Sequence, residues 1–372
     1  MLNKSKLTLI SSSLLLSASA FAGAIHIVGT TTTTVPVNST LVAATNGGKA
    51  IGSYTVSLMK VNIDKTASER LATNIEKTLK NSRTNPYLGF TAVDGRSQKQ
   101  LHMAGVAPLD QGQHGSCATF ANAGAIDALY GLIDQSAQVS ELCNLELGKS
   151  LVASGEQSRS GWDGTLGPVV LTQINNHGYM TIDQESSGIC GGLTSYPVTS
   201  SDTGGSISKD DFESYSKQHQ EFKVSNWQPI FSASSFPVDP EQADQVLTKV
   251  KQALNDQHRV SFGTLLDDNI GQNGAVAKYS AKNNTVNNNN AWVLTSKIAS
   301  DAQANAIHSG HEMVITGYDD QRCVSYQEDN TTKQQCGLLT LRNSWGNTGD
   351  NGDYYMTYDH FKAMVMEAQE IK

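Results

Sequence analysis

The sequence is short of charge. Only 17% of its 372 residues are Asp, Glu, Lys or Arg, against about a quarter in an average globular domain. The 27 basic residues are outnumbered by 35 acidic ones, and no basic block of five or more occurs. That argues against an electrostatic nucleic-acid footprint. Outside the first 20 residues no apolar run approaches the ~20 needed to cross a bilayer, so no membrane span is expected. Cys-x-x-Cys and His-Glu-x-x-His are both missing. With them go the commonest zinc-binding spacings, and neither a metal nor a cofactor is expected. What remains is 38% hydrophobic, with 32 Gly and only 8 Pro, enough for one large domain or two modest ones.

The N-terminus has the form of a secretory signal. Lys4 and Lys6 give a positive start, Leu7 to Leu16 is an apolar stretch, and Ala20-Phe21-Ala22 offers an A-x-A cleavage site. Residues 1–22 are therefore expected to be removed, leaving an extracellular or periplasmic chain that starts near Gly23. Export makes disulfides available. The five cysteines are Cys117, Cys143, Cys190, Cys323 and Cys336, and an odd count leaves one thiol over. Cys323 and Cys336 flank a polar loop between two strand-like runs, as in a stapled hairpin. Closing that loop would contribute about 3 kcal/mol in the chain-entropy model. Cys143 with Cys190 is then the second pair, and Cys117 stays free.

Residues 23–100 differ in texture from the rest of the chain. Thr30 to Thr34 lead into a β-prone stretch, and Asn46-Gly47-Gly48 is a hairpin-type turn. Tyr54, Val56 and Leu58 alternate like a half-buried strand. Thr66-x-x-Glu69 is a capping box ahead of Leu71, Ile75 and Leu79 on one helical stripe. These features describe a small hairpin-plus-helix unit without a catalytic constellation. Arg83 to Gln100 then reads as a polar linker or processing site. From Val106 the pattern is denser. Ser116 can cap a helix that starts at Cys117, with Phe120, Ala123, Ile126, Tyr130 and Ile133 on its apolar side. Further helices are expected over Leu166 to Asn176 and Glu241 to Asn255. Strands are expected over Val260 to Leu266, Glu312 to Tyr318, Gly337 to Arg342 and Asp353 to Tyr358, with an Asn-rich surface loop over 271–291. Helices first and strands later give an α+β class.

The chemistry concentrates in three places. Asp110-Gln-Gly-Gln-His-Gly-Ser-Cys117 leads into a helix, and a helix N-terminus favours the thiolate that a cysteine nucleophile needs. Gly112 and Gly115 let the incoming backbone bend. Gln111 can return its amide to an oxyanion beside the Cys117 backbone N–H. Ser309-Gly310-His311 places a histidine at the mouth of a strand. Leu341-Arg-Asn343-Ser-Trp345-Gly346 supplies an Asn on the next one. The Asn oxygen can hold one imidazole N–H and leave the other nitrogen for Cys117, and Trp345 can cover that bond. His308 is a weaker candidate, lacking the alternating strand and the Gly317-Tyr318 end that come after His311.

Gln-x5-Cys, Gly-His-x-apolar and Asn-Ser-Trp-Gly, in that order, resemble a papain-family cysteine peptidase, of the bacterial secreted type. Gly161-Trp-Asp-Gly164 is similar to the family's Gly-rich segment lining the substrate cleft. The resemblance covers about Val106 to Phe361. It implies a two-lobed domain over 101–372, a helical lobe carrying the Cys helix and an antiparallel β lobe carrying His and Asn. It further implies Cys117 as nucleophile, His311 as base and later acid, Asn343 as its orienter, Gln111 in the oxyanion hole and Trp345 as a shield. The expected activity is hydrolysis of peptide bonds in a peptide or protein substrate through an acyl-enzyme, by a monomer. Residues 23–100 would be a possible inhibitory pro-segment of a zymogen.

Departures are present. Ala118 stands where an aromatic residue commonly follows the nucleophile, and His114 replaces the cysteine of the plant-type disulfide. His311 and Asn343 lie 194 and 226 residues after Cys117, against about 130–150 in the papain/cathepsin pattern. The excess implies insertions, within 200–240 and 267–305. An acyl transferase or amidase using the same Cys-His-Asn set is one alternative. A catalytically silent binding protein or effector on the same scaffold is the other.

Overall fold

The computed structural model describes residues 23–35, 54–84, 92–216, 226–266 and 290–372. The expected signal at 1–22, the expected turn at Asn46-Gly47-Gly48 and nearly all of the Asn-rich 271–291 lie outside these residues. In chain order the main elements are β1 (Ile25–Val35), β2 (Tyr54–Ile63), α1 (Lys65–Thr84), β3 (Gln98–Gln100), α2 (Cys117–Tyr130), α3 (Glu141–Ala153), α4 (Gly167–His177) and α5 (Lys209–Ser216). They continue with β4 (Trp227–Phe231), α6 (Pro240–Asn255), β5 (Arg259–Leu266), β6 (Ala291–Trp292), α7 (Ser296–Gln303), β7 (Ser309–Glu328), β8 (Thr331–Arg342), β9 (Asp353–Thr357), α8 (Tyr358–Met364) and β10 (Val365–Ile371).

Local chemistry accounts for most of these boundaries. Proline opens α6, and its buried residues Ala243, Val246, Val250 and Leu254 recur at helical spacing. Helix α2 has no such stripe, because every residue from Cys117 to Ala128 is buried. Its Ala and Gly content lets it pack closely on all sides. It ends at Gly131, whose φ of 63° suits a residue without Cβ. Ile133, expected on its apolar side, instead lies beyond the helix and is 67% exposed. Helix α1 starts at Lys65, so Thr66 sits inside the first turn rather than capping it, while Leu71, Ile75 and Leu79 are buried as the stripe requires. Helix α3 was not expected, since buried Glu141, Asn144 and Glu146 interrupt its leucines.

The strands form one sheet in the order β4–β10–β5–β7–β8–β9–β6, antiparallel except for the β6–β9 pair. The twenty-residue β7 is its axis. β7 turns into β8 through Asp329 and Asn330 at φ 50° and 59°, the left-handed pair of a two-residue hairpin loop. Cys323 and Cys336 face each other across that hairpin and are bonded. Cys143 and Cys190 form the other disulfide, and Cys117 is free and buried.

The N-terminal hairpin is not a separate unit. β2 joins the first residues of β7 through Met59–Gly310 and Lys60–Ser309, with β1 on its outer side. The expected linker 83–100 includes the end of α1 and strand β3, which pairs with β7. Strands therefore occur at both chain ends as well as late in the sequence. One hydrophobic cluster joins the sheet to α6 and α8 through Val250, Leu254, Phe262, Leu339 and Phe361, each contributing about 1.5–3 kcal/mol by burial. Another places α2 and α4 against Val314 and Ile371. A helical lobe beyond it centres on Leu142, Leu145, Trp162 and Phe212.

Candidate active site

The sulfur of Cys117 sits where the chain enters α2, and sequence-distant segments fix that entry. The Gln111 N–H donates to the Ser344 carbonyl and the Gly346 N–H to the Leu109 carbonyl, both at 2.9 Å. These two bonds tie the turn before the cysteine to the turn after Asn343. The Gly112 N–H donates to Asp110 Oδ1 at 2.9 Å. Gly112 has φ 56°, and a Cβ there would meet the Val198 carbonyl oxygen at 1.9 Å, so only glycine fits. Ser116 precedes the helix but makes no side-chain cap bond, contrary to the sequence expectation.

His311 lies on β7, fully buried, opposite Thr264 of β5. Its Nε2–H donates to Asn343 Oδ1 at 2.7 Å, which fixes the tautomer and leaves Nδ1 as the basic nitrogen. Nδ1 has no hydrogen-bond partner. The Trp345 ring stacks on His311 at 4.7 Å and 25°, covering the His–Asn bond. Burial lowers the His311 pKa to about 4, with Asn343 pulling upward. The Cys117 thiol meets the same strand, since the backbone N–H of Glu312 hydrogen-bonds it. Burial first, and Glu312 second, push its pKa up to about 12. In this arrangement thiol and imidazole are both neutral at pH 7.

Gln111 is buried, but its amide is engaged. Oε1 accepts from Ser344 Oγ at 2.7 Å. Nε2 donates to the His114 carbonyl at 2.8 Å and the Ser57 carbonyl at 3.1 Å. Ser57 belongs to β2, and its Oγ donates to the Gln113 carbonyl at 2.7 Å. The N-terminal hairpin therefore lies on the turn that the sequence marks as a candidate oxyanion hole. Gly161 and Gly164 form a tight turn at φ 100° and 92°. A Cβ on Gly164 would strike Ile27 and Met59 of the same hairpin, so this segment faces the hairpin rather than an open cleft.

A buried acid pair beneath the site had escaped the sequence reading. Asn122 of α2 donates to Glu312 Oε1 at 2.7 Å, and the Gly167 N–H at the start of α4 donates to Glu367 Oε1 at 2.8 Å. Ser261 Oγ adds a bond to Asn122 Oδ1 at 2.8 Å. Burial and the neighbouring Glu367 hold the Glu312 carboxyl well above the usual range, and burial raises Glu367 to about 7. The available signal was a charged residue inside the apolar run after His311. Among the described residues no cluster of three or more His, Cys, Asp or Glu is placed to hold a metal ion.

No family model matches the sequence, and no curated protein matches it. Among solved structures the chain is similar to xylellain, a cysteine protease from Xylella fastidiosa, at 18% identity and a TM-score of 0.46, over 76% of this chain and 88% of that one. It is similar to digestive procathepsin L 3 of the Tenebrio molitor larval midgut at 17% identity and TM-score 0.42, covering 74% and 70% of the two chains. Recombinant stem bromelain precursor aligns at 12% identity and TM-score 0.42, covering 76% and 71%.

Proposed function

We propose that this chain is an exported, papain-like thiol peptidase made in a latent form, with Cys117 as nucleophile and His311 as its base. The observation that carries the reading is the His311–Asn343 bond under Trp345, on a strand whose next N–H reaches the Cys117 thiol. Nδ1 of His311 takes the thiol proton, and the thiolate adds to the peptide carbonyl. The C–N bond then breaks as His311 returns that proton to the leaving amine, leaving a thioester. Water, losing a proton to His311, adds to the thioester and releases the acid and the thiol. The Gln111 amide and the Cys117 N–H would serve the oxyanion at both additions.

Residues 23–100 are read as the intramolecular inhibitor. The Ser57 carbonyl takes a Gln111 hydrogen that an oxyanion would need, and the hairpin packs Met59 and Val61 in one buried cluster with Cys117, where neither Cys117 nor His311 meets solvent. Displacing it would free that donor and rehydrate both groups, which lowers the thiol pKa and raises that of the imidazole. The test is the intact mass of the secreted protein after an epoxide thiol-peptidase inhibitor, beside Cys117→Ala. One adduct, absent from the variant and appearing only once the N-terminal segment is lost, is expected. An adduct on the full-length chain would remove the inhibitory role. No adduct on a chain lacking the segment would overturn the peptidase reading and favour a silent binding protein.

A further inference from the structure

The segment Gly191–Gly205 carries none of the residues assigned to the reaction, yet it closes on the turn that holds both candidate oxyanion donors. Tyr196 Oη donates to the Gln111 carbonyl at 3.0 Å. A phenol has one proton to give, so at the 2.7 Å contact between Ser116 Oγ and Tyr196 Oη the serine is the donor. Ser116 Oγ carries its own proton to give and spends no lone pair on a cap bond. One hydroxyl therefore joins the residue bearing the first donor, Gln111, to the residue preceding the second, the Cys117 N–H.

The ring itself is held independently of its hydroxyl. It stacks on Trp162 at 5.6 Å and 13°, and meets Phe120 edge-on at 4.8 Å. The backbone that follows it is anchored too. His114 Nε2 lies 3.0 Å from both the Pro197 and Ser200 carbonyls. Lys149 Nζ reaches the carbonyls of Thr203, Gly204 and Gly205 at 2.8, 3.1 and 2.9 Å. Burial raises the Tyr196 pKa, so the hydroxyl remains a donor throughout the physiological range.

We propose that Tyr196 is a positioning residue that sets the spacing of the Gln111 and Cys117 donors. This inference rests on the peptidase reading of the site. Small displacements of such donors are costly, since a shift of about 1 Å can lower a rate ~10²-fold. Tyr196→Phe keeps the stacked ring and removes only the hydroxyl. In the peptide-cleaving form of the protein it should lower kcat by about tenfold or more, with KM nearly unchanged. Alkylation of Cys117 by iodoacetamide forms no oxyanion, so its rate should stay at the wild-type value. Ser116→Ala breaks the other end of the link, and the double variant should lose less than the product of the two single losses. Parallel falls in hydrolysis and alkylation would mean general loosening and overturn the proposal. Wild-type kcat in Tyr196→Phe would overturn it as well. Should Tyr196→Phe not fold, the same kcat and alkylation pair measured on Ser116→Ala decides it. A wild-type protein that is alkylated at Cys117 but cleaves no peptide would instead overturn the peptidase reading, and this inference with it.

Discussion

Replacing Asp127 by Asn probes how the helix that carries Cys117 is held. Asp127 lies on α2 with 0% exposure. Its Oδ1 accepts from the Val139 N–H at 3.0 Å, while Oδ2 has no hydrogen-bond partner. Burial raises its pKa from 3.8 to about 8, against a smaller pull from Val139. Below about pH 4 the carboxyl is protonated in both folded and unfolded chains. Above that the unfolded chain releases its proton while the folded one keeps it until about pH 8, so the stability from this group falls with rising pH. The slope is about 1.4 kcal/mol per pH unit, or roughly 2.7 kcal/mol between pH 5 and 7. Asparagine keeps the Oδ1 acceptor and does not titrate, so Asp127→Asn should lose that much less. At about 2–4 °C per kcal/mol, the Tm gap between the two proteins should shift by roughly 5–10 °C over this interval. Burial lowers His311 to about 4 and His360 to about 3. Their opposing contribution, gained as pH rises towards 6.5, is common to both proteins and cancels. Calorimetric melts at pH 5, 6 and 7 read the gap directly. Parallel Tm–pH curves would refute the assignment of a protonated, buried Asp127.

Asn343→Ala should lower kcat/KM between about 10²- and 10⁴-fold by freeing the His311 tautomer, while peptide hydrolysis at the wild-type rate would refute the orienting role. With the N-terminal hairpin in place, slow labelling of Cys117 by iodoacetamide, which unlike the epoxide inhibitor needs neither the cleft nor the oxyanion donors, should climb about tenfold per pH unit from 6 to 9, as expected of a thiol held near 12. A plateau beginning below pH 7 would mean the resting pair is already ionised. Gly112→Ala forces Cβ onto the Val198 carbonyl, and it should cost at least about 1–3 kcal/mol, read as a lower Tm with weaker inhibitor labelling. Removing the Cys323–Cys336 bridge as a double Ser variant should cost about 3 kcal/mol in denaturant unfolding, and an unchanged midpoint would contradict the loop-entropy argument.

The residues gathered at the site were legible because each is announced locally. A Gly-rich turn before Cys117, a strand after His311 and a tryptophan after Asn343 can all be read within ten residues. Helix α6 and strand β5 were legible for the same reason, from their apolar spacing. What depends on distant partners was not. Helix α3 places Glu141 and Glu146 in the interior, so its sequence lacks the polar face that marks a helix. Strand β10 buries Glu367 and Gln369 beneath α2 and α4, which disguises it as a surface segment. The alternation of Tyr54, Val56 and Leu58 announced β2 as a strand. Nothing in it specified that the partner would be Gly310 or that the Ser57 carbonyl would occupy Gln111. Tyr196 was invisible because its hydroxyl meets Gln111 and Ser116, 85 and 80 positions away in the sequence.

The way β2 enters the sheet bears on how the site would open. A single cut between α1 and β3 would sever the chain without moving the hairpin. β2 would still pair with β7, Val56, Leu58 and Val61 would still be fully buried, and α1 would still pack Leu71 and Ile75 near Ile298 and Ala302 of α7. The cleaved protein would be a two-chain complex, with its former N-terminal part acting as a dissociable inhibitor in trans. Activation would then track the off-rate of that fragment and the protein concentration rather than the rate of cleavage. Dilution after the cut would raise specific activity, whereas concentrated samples would stay silent.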